Sequence, residues 1–276
     1  MRLEISDLDV SYDTTPILKS ISISAEAGEV VGVIGPNGCG KSTLIKTIAG
    51  INVPSAGSIQ LDNLDLFTLP KIDMAKRVGY VPQDFRQMAS ITVLDAVAIG
   101  RRPHVSWALS KKDFAIMNEA MKSMAILPLA GKRLDQLSGG ERQKVFIARA
   151  LAQQPTLYLF DEPTSALDIR HQIAVFRLIR DLAHTGGATV LVVVHDLNFA
   201  QYYADRIVLM QKGAIVKQGT PSEVMTREAI RSVYGVDMCS IATGTGTYLL
   251  PEWEGGEAVE TMTGRYADDN KPKICQ

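Results

Sequence analysis

Apolar and polar residues alternate at Leu3-Glu4-Ile5 and again at Ile21-Ser22-Ile23, the two-residue period of half-buried strands. Val30-Val31-Gly32-Val33-Ile34 is apolar throughout, which suits a central parallel strand covered on both faces. Leu157-Tyr158-Leu159-Phe160 and residues 189–194 have the same character. Elsewhere the period lengthens. Residues 42–50 predict a helix with Leu44, Ile45, Ile48 and Ala49 on one face and Gly50 as its C-cap. Residues 59–80 read as short strands and turns, with a strand at Val78-Gly79-Tyr80-Val81. Residues 91–151 are mostly helical, interrupted at Pro103 and Pro128, with Met117, Met121 and Met124 as core packing. Residues 169–184 form a further helix. Residues 207–210 and 214–216 predict a hairpin across Gln211-Lys212-Gly213. Strands alternating with helices predict an α/β domain whose parallel sheet carries helices on both faces. From residue 251 to 276 no apolar period survives, which predicts a mobile tail.

Composition adds a few limits. The 276 residues are 46% hydrophobic and 21% charged, enough for one large core. A net charge of -1 gives no overall attraction to nucleic acid, so no nucleic-acid partner is expected. Cys39, Cys239 and Cys275 are too few and too scattered for a disulfide framework or a zinc site, and fit a reducing cytosol. No charged-then-apolar leader follows Met1, and the apolar runs fall well short of the roughly 18 residues a membrane span needs. Any membrane role would be borrowed from a partner.

The chemistry begins where the first buried strand breaks. Gly35-Pro36-Asn37-Gly38-Cys39-Gly40-Lys41-Ser42 fits G-x-x-x-x-G-K-[ST], with Thr43 following. Glycines let the backbone turn its amides around phosphate oxygens, and the next helix offers its N-terminal dipole to the same anion. Lys41 would reach the β and γ phosphates of ATP, and the Ser42 hydroxyl would ligate Mg2+. Asp161 and Glu162 close another buried strand, and ligands of open parallel sheets bind beyond such strand ends. Asp161 suits the metal, and Glu162 suits the attacking water as base or positioner. His195 ends the next buried strand and would approach the γ-phosphate from the same edge. His104, His171 and His184 carry no such context.

Between these features stands Leu137-Ser138-Gly139-Gly140-Glu141-Arg142-Gln143. It resembles the LSGGQ signature of ABC ATPases, with Glu141 where glutamine is commonest. Phosphate loop, signature, hydrophobic-D-E and histidine stand in the family's order. The resemblance implies a P-loop NTPase of RecA type, with an antiparallel β subdomain and an inserted α-helical subdomain at about residues 84–150, all within residues 1–250. It implies Tyr12 stacked on adenine, Gln83 near Mg2+ and the water, and Asp168 in the D-loop (Ser165-Ala166-Leu167-Asp168). It also implies that Ser138, Gly139 and Gly140 bind the γ-phosphate of ATP held by a second copy, in a head-to-tail dimer. Glu162, His195, Gln83 and Lys41 would be the catalytic set.

Gly100-Arg101-Arg102-Pro103-His104 and Tyr234-Gly235-Val236-Asp237 are similar to elements of the ATPases of iron-chelate, haem and cobalamin importers. That implies transmembrane permease subunits as partners on the cytoplasmic face of the cell membrane, with residues 83–104 as the docking surface. It also implies an extracytoplasmic substrate-binding protein as an indirect partner. For residues 101–104 a solvated turn between helices is the other reading. A non-transport ATPase of the iron-sulfur assembly type stays open as an alternative function.

Overall fold

The structure is a computed structural model that describes residues 1–83, 90–243 and 246–252. The chain opens with an antiparallel pair, β1 (Leu3–Tyr12) and β2 (Thr15–Ala25), with Ile5 opposite Ile23. Next come β3 (Val30–Ile34) and α1 (Lys41–Ile48). β4 (Ala56–Leu61) and β5 (Leu64–Asp65) then complete an antiparallel sheet in the order β2-β1-β4-β5. α2 (Lys71–Arg77) and β6 (Val78–Val81) lead to three helices: α3 (Val93–Ile99), α4 (Lys111–Ser123) and α5 (Gly139–Gln153). β7 (Leu157–Asp161), α6 (Ile169–His184), β8 (Thr189–Val193) and α7 (Leu197–Tyr203) follow. The hairpin β9 (Arg206–Gln211) and β10 (Ala214–Gly219) comes next, then α8 (Pro221–Val224) and α9 (Arg227–Tyr234). A last hairpin, β11 (Met238–Thr243) and β12 (Gly246–Pro251), closes the described chain.

The main sheet runs β10-β9-β3-β8-β7-β6, parallel except for the β9–β10 hairpin. Its central strands β3, β7 and β8 are buried at every position because each face meets a different core. Val30, Val190, Val192, Tyr158 and Phe160 face the helices, among them Phe146, Phe176 and Met117. Val31, Val33, Leu159, Leu191 and Val208 face the other way, onto Leu44, Ile45 and Ile48 of α1 and onto Leu3, Ile5 and Ile59 of the antiparallel sheet. The α1 helix is thus sandwiched between two sheets, and its N-terminus can emerge only at the carboxyl edge of β3. This arrangement is the P-loop NTPase α/β fold with an antiparallel subdomain.

The predicted buried strands, the helix over residues 169–184 and the β9–β10 hairpin are all present. Met117 and Met121 are fully buried and Met124 nearly so. Gly50 lies one residue past the cap of α1, with φ 68°, the left-handed conformation that favours glycine after a helix. Three elements differ from the sequence reading. A helix, α2, stands where only strands and turns were expected; it buries no residue, so it carries no apolar stripe. α9 and the β11–β12 hairpin extend the fold up to Pro251, and Glu252 is tied back by ion pairing to Arg227. The remainder of the expected tail, residues 253–276, lies outside the described residues, as do residues 84–89 of the expected docking surface.

The solvated-turn alternative for residues 101–104 fits the exposed Arg102 and His104 but not Arg101. It is buried, with Nε donating to Asp113 Oδ1 at 2.9 Å and Nη1 donating to the Ala152 carbonyl at 2.8 Å. Gly100 beside it leaves no room for a side chain: a Cβ would stand 2.2 Å from the Arg149 carbonyl. The glycine lets α3 lie against α5, and the arginine fastens the connection to the end of α5. The Ser110 hydroxyl and amide, then Arg101, hold the Asp113 carboxyl down at about 2.

Candidate functional site

β3, β8, β7 and β6 are neighbours in the sheet, so the loops that leave their carboxyl ends share one edge. A cleft of about 430 Å3 opens there. It is lined by Tyr12, Ile17, Asn37, Gly38, Gly40, Lys41, Ser42, Thr43, Gln83, Glu162 and His195. Gly35, Pro36 and Cys39 form the back of the loop rather than its lining. Gly35 has φ 150°, and a Cβ there would stand 2.2 Å from the Met210 carbonyl, so only glycine lets β9 support the loop so closely.

Gly40 caps α1 in the left-handed region, with no side-chain cap and no acid in the first turn. The first-turn amides are therefore left for an anion. Lys41 is buried, and its Nζ donates to the carbonyls of Gly35 at 2.7 Å and Pro36 at 2.9 Å. Those two bonds hold the ammonium inside the loop it would share with phosphate. Cys39 is also buried; burial pushes its thiol up, so it stays protonated and fills space.

Ser42 Oγ donates to Asp161 Oδ1 at 2.8 Å. Burial pushes the Asp161 carboxyl up, and the Ser42 hydrogen bond opposes it. Glu162 follows in a strained backbone conformation, φ 51°, rare for a residue with a side chain. Its carboxylate is held at both oxygens: Gln83 Nε2 donates to Oε2 at 2.5 Å, and His195 Nε2 pairs with Oε1. Its own carbonyl accepts from Gln143 Nε2 at 3.2 Å. Gln143 is a buried residue of α5, part of the signature segment, for which the sequence suggested no separate role. Ile17 in the cleft and Asn52, whose Nδ2 donates to the Tyr12 hydroxyl at 2.9 Å, were likewise not foreseen. Their signals are packing and reach, which one sequence does not display.

Ser138, Gly139, Gly140 and Asp168 do not line this cleft. Ser138 is the N-cap of α5 in a reciprocal capping box: its Oγ donates to Glu141 Oε2 at 2.8 Å and accepts from the Glu141 amide at 3.2 Å. Gly140 packs against Leu167, and Asp168 caps α6 through the His171 amide at 2.9 Å. The signature turn and the D-loop thus lie together, apart from the phosphate loop. His104 Nε2 donates to the Gln153 carbonyl, and His184 pairs with Asp205, so both have structural partners. Among the described residues, no cluster of three or more His, Cys, Asp or Glu could hold a metal by itself. None of the helices there is long and apolar enough to cross a membrane.

Comparison with known proteins agrees with this geometry. The ABC transporter family model matches residues 18–165. An uncharacterized ABC transporter ATP-binding protein of Methanocaldococcus jannaschii is 41% identical over 86% of this chain and 92% of its own. The ferric enterobactin transport ATP-binding protein of Escherichia coli K12 is 37% identical over 85% of this chain and 88% of its own. A solved structure described as an inward-facing conformation of a metal-chelate type ABC transporter superposes with a TM-score of 0.78 and 30% identity, covering 91% of this chain and 97% of that one. With a phosphate loop, an Asp-Glu strand end and a histidine converging on one cleft, the chain belongs to the ABC transporter family and is one of its ATP-hydrolysing members.

Proposed function

We propose that the chain is the ATPase subunit of an importer for a metal chelate of the iron-siderophore, haem or cobalamin kind, working as a head-to-tail pair on separate permease chains. The likeness to a ferric enterobactin transport protein and to a metal-chelate type transporter supports the substrate class. Residues 1–250 would be the ATPase domain, with residues 84–150 as its helical subdomain, peripheral to the cytoplasmic face of the membrane. An extracytoplasmic binding protein would deliver the chelate.

One observation carries the paired reading: the glycine turn at Ser138 opens α5 and is exposed, yet stands outside its own chain's nucleotide cleft. A twofold-related copy would bring its Ser138, Gly139 and Gly140 over the cleft. ATP then becomes part of the interface, and its higher affinity for the closed pair drives closure.

Within the cleft, Tyr12 stacks on the adenine, and Asn37, Gly38, Gly40 and Thr43 surround the phosphates. Lys41 exchanges its bonds to the Gly35 and Pro36 carbonyls for β and γ oxygens. The donor set of Ser42 hydroxyl, Asp161 carboxylate and Gln83 amide is all oxygen, which fits Mg2+ completed by phosphate and water. An ion held by these residues would neutralise charge on the phosphates. Glu162 aligns the attacking water and accepts its proton, Gln83 keeps the carboxylate aimed, and His195 stabilises the charge that develops at the γ-phosphate.

The test is the detergent-purified complex of this chain with its permease. ATPase activity should rise several-fold when one chelate class arrives on its binding protein. A complex that hydrolyses ATP at one rate with every iron, haem and cobalamin ligand would overturn the importer reading.

A further inference from the structure

Tyr234-Gly235-Val236-Asp237 has no part in the cleft chemistry, yet the structure gives each end of it a contact. α9 stops at Tyr234 because Gly235 takes up the left-handed conformation, φ 71°, and returns its amide to the Arg231 carbonyl at 2.9 Å. The Tyr234 phenol lies close to the Gly35 backbone and to Cys39, at the back of the phosphate loop. Burial, with the nearby Cys39, pushes that phenol up to about 12, so it stays a neutral hydroxyl. Gln211 Nε2 donates to the carbonyls of Ser232 and Val233, each at 3.3 Å, and so pins the same helix end to β9.

A second contact reaches the histidine loop. His195 is followed by Asp196, the cap of α7, and by Asn198 in its first turn. Asn198 spends both ends of its amide on one backbone residue: Nδ2 donates to the Leu249 carbonyl at 3.1 Å, and Oδ1 accepts from the Leu249 amide at 2.8 Å. Leu249 belongs to β12 and is buried in the helix-side core. α9 and the terminal hairpin are themselves one piece. Asp237 pairs with Arg227 and Arg231, the Glu252 amide donates to the Asp237 carbonyl at 2.8 Å, and Arg227 pairs with Glu252.

We propose that residues 227–243 and 246–252 act as a clamp that sets the spacing between the phosphate loop and the His195 loop, with Tyr234 and Asn198 as positioning residues for ATP hydrolysis. Neither residue lines the cleft. Tyr234 braces the backbone that must accept the triphosphate, and Asn198 fixes the helix start that aims His195. A reacting group displaced by about 1 Å can lose up to on the order of a hundredfold in rate, so such bracing has kinetic weight. The inference rests on His195 and the phosphate loop acting as proposed above.

Two substitutions probe the two arms. Tyr234→Phe keeps the ring and deletes the hydroxyl; it should raise KM for ATP a few-fold with kcat little changed. Asn198→Ala should lower kcat on the order of tenfold with KM near wild type. Both assays are run well below the melting temperature, which is measured for each variant. The decisive step places Asn198→Ala in a His195→Ala background, where its effect on kcat should vanish because its target is gone. Wild-type kinetics in both single variants, or an Asn198→Ala effect that persists undiminished beside His195→Ala, would overturn the clamp alone. A His195→Ala variant with wild-type kcat would remove the role of His195 and the inference with it.

Discussion

The phosphate loop and the Ser138 turn share a design: each carries glycines and opens a helix. Their helix starts differ. α1 begins at a left-handed Gly40 with no side-chain cap and no first-turn acid, whereas α5 begins at Ser138 with Glu141 closing a capping box on it. An uncapped start leaves amides without partners until an anion supplies them; a capped one has already met part of that demand. Glu141 Oε2 accepts from both the Ser138 amide and its hydroxyl, each at 2.8 Å, and those bonds hold its carboxyl below the usual range. The phosphate loop is thus ready for nucleotide in the single chain. The Ser138 turn is closed on itself, and a phosphate arriving there would have to displace a carboxylate.

This contrast can be broken from either side. The largest effect should come from Lys41→Ala, which removes the cation from the open loop. Nucleotide binding by the single chain should weaken by a hundredfold or more on the order-of-magnitude scale for a buried charge on phosphate, as read by calorimetry with Mg-ATP. Glu162→Gln comes next: binding is retained while turnover falls by roughly a hundredfold or more, and the variant should accumulate as a dimer in Mg-ATP on size-exclusion chromatography. Normal turnover in that variant would refute the role of Glu162. The smallest effect sharpens the comparison. Glu141→Gln keeps a capping side chain but removes the charge that faces the incoming phosphate. In the Glu162→Gln background it should lower the ATP concentration needed for half-dimerisation a few-fold, at a stability cost of a few tenths of a kcal/mol. A higher required concentration would show that the charge does not oppose closure.

The same contrast explains what a single sequence could reveal. Glycines, Lys41 and Ser42 are legible because the backbone path itself demands them, and Val30–Ile34 is legible because both its faces are buried. The capping box was within reach too, since Ser138 and Glu141 stand at the required spacing. The contacts of Gln143, Asn198 and Tyr234 were not, although Tyr234 stands in a segment that the sequence singled out. Each acts on a backbone group far away in the chain, and a backbone group leaves no mark in the residue alphabet. The burial of Arg101 was not legible either: its partners, Asp113 and the Ala152 carbonyl, come together only when α3 and α4 pack on α5. α2 and the terminal hairpin escaped notice because neither shows a long apolar period.

Mixing two inactive variants tests the shared cleft most directly. Lys41→Ala spoils only the phosphate loop, and Ser138→Arg spoils only the signature turn. If each nucleotide sits between one chain's loop and the other chain's turn, a mixed pair regains one intact site, and an equal mixture should recover about a quarter of the wild-type ATPase rate. A mixture no more active than either variant alone would contradict the account, because each chain would then be hydrolysing ATP with its own residues.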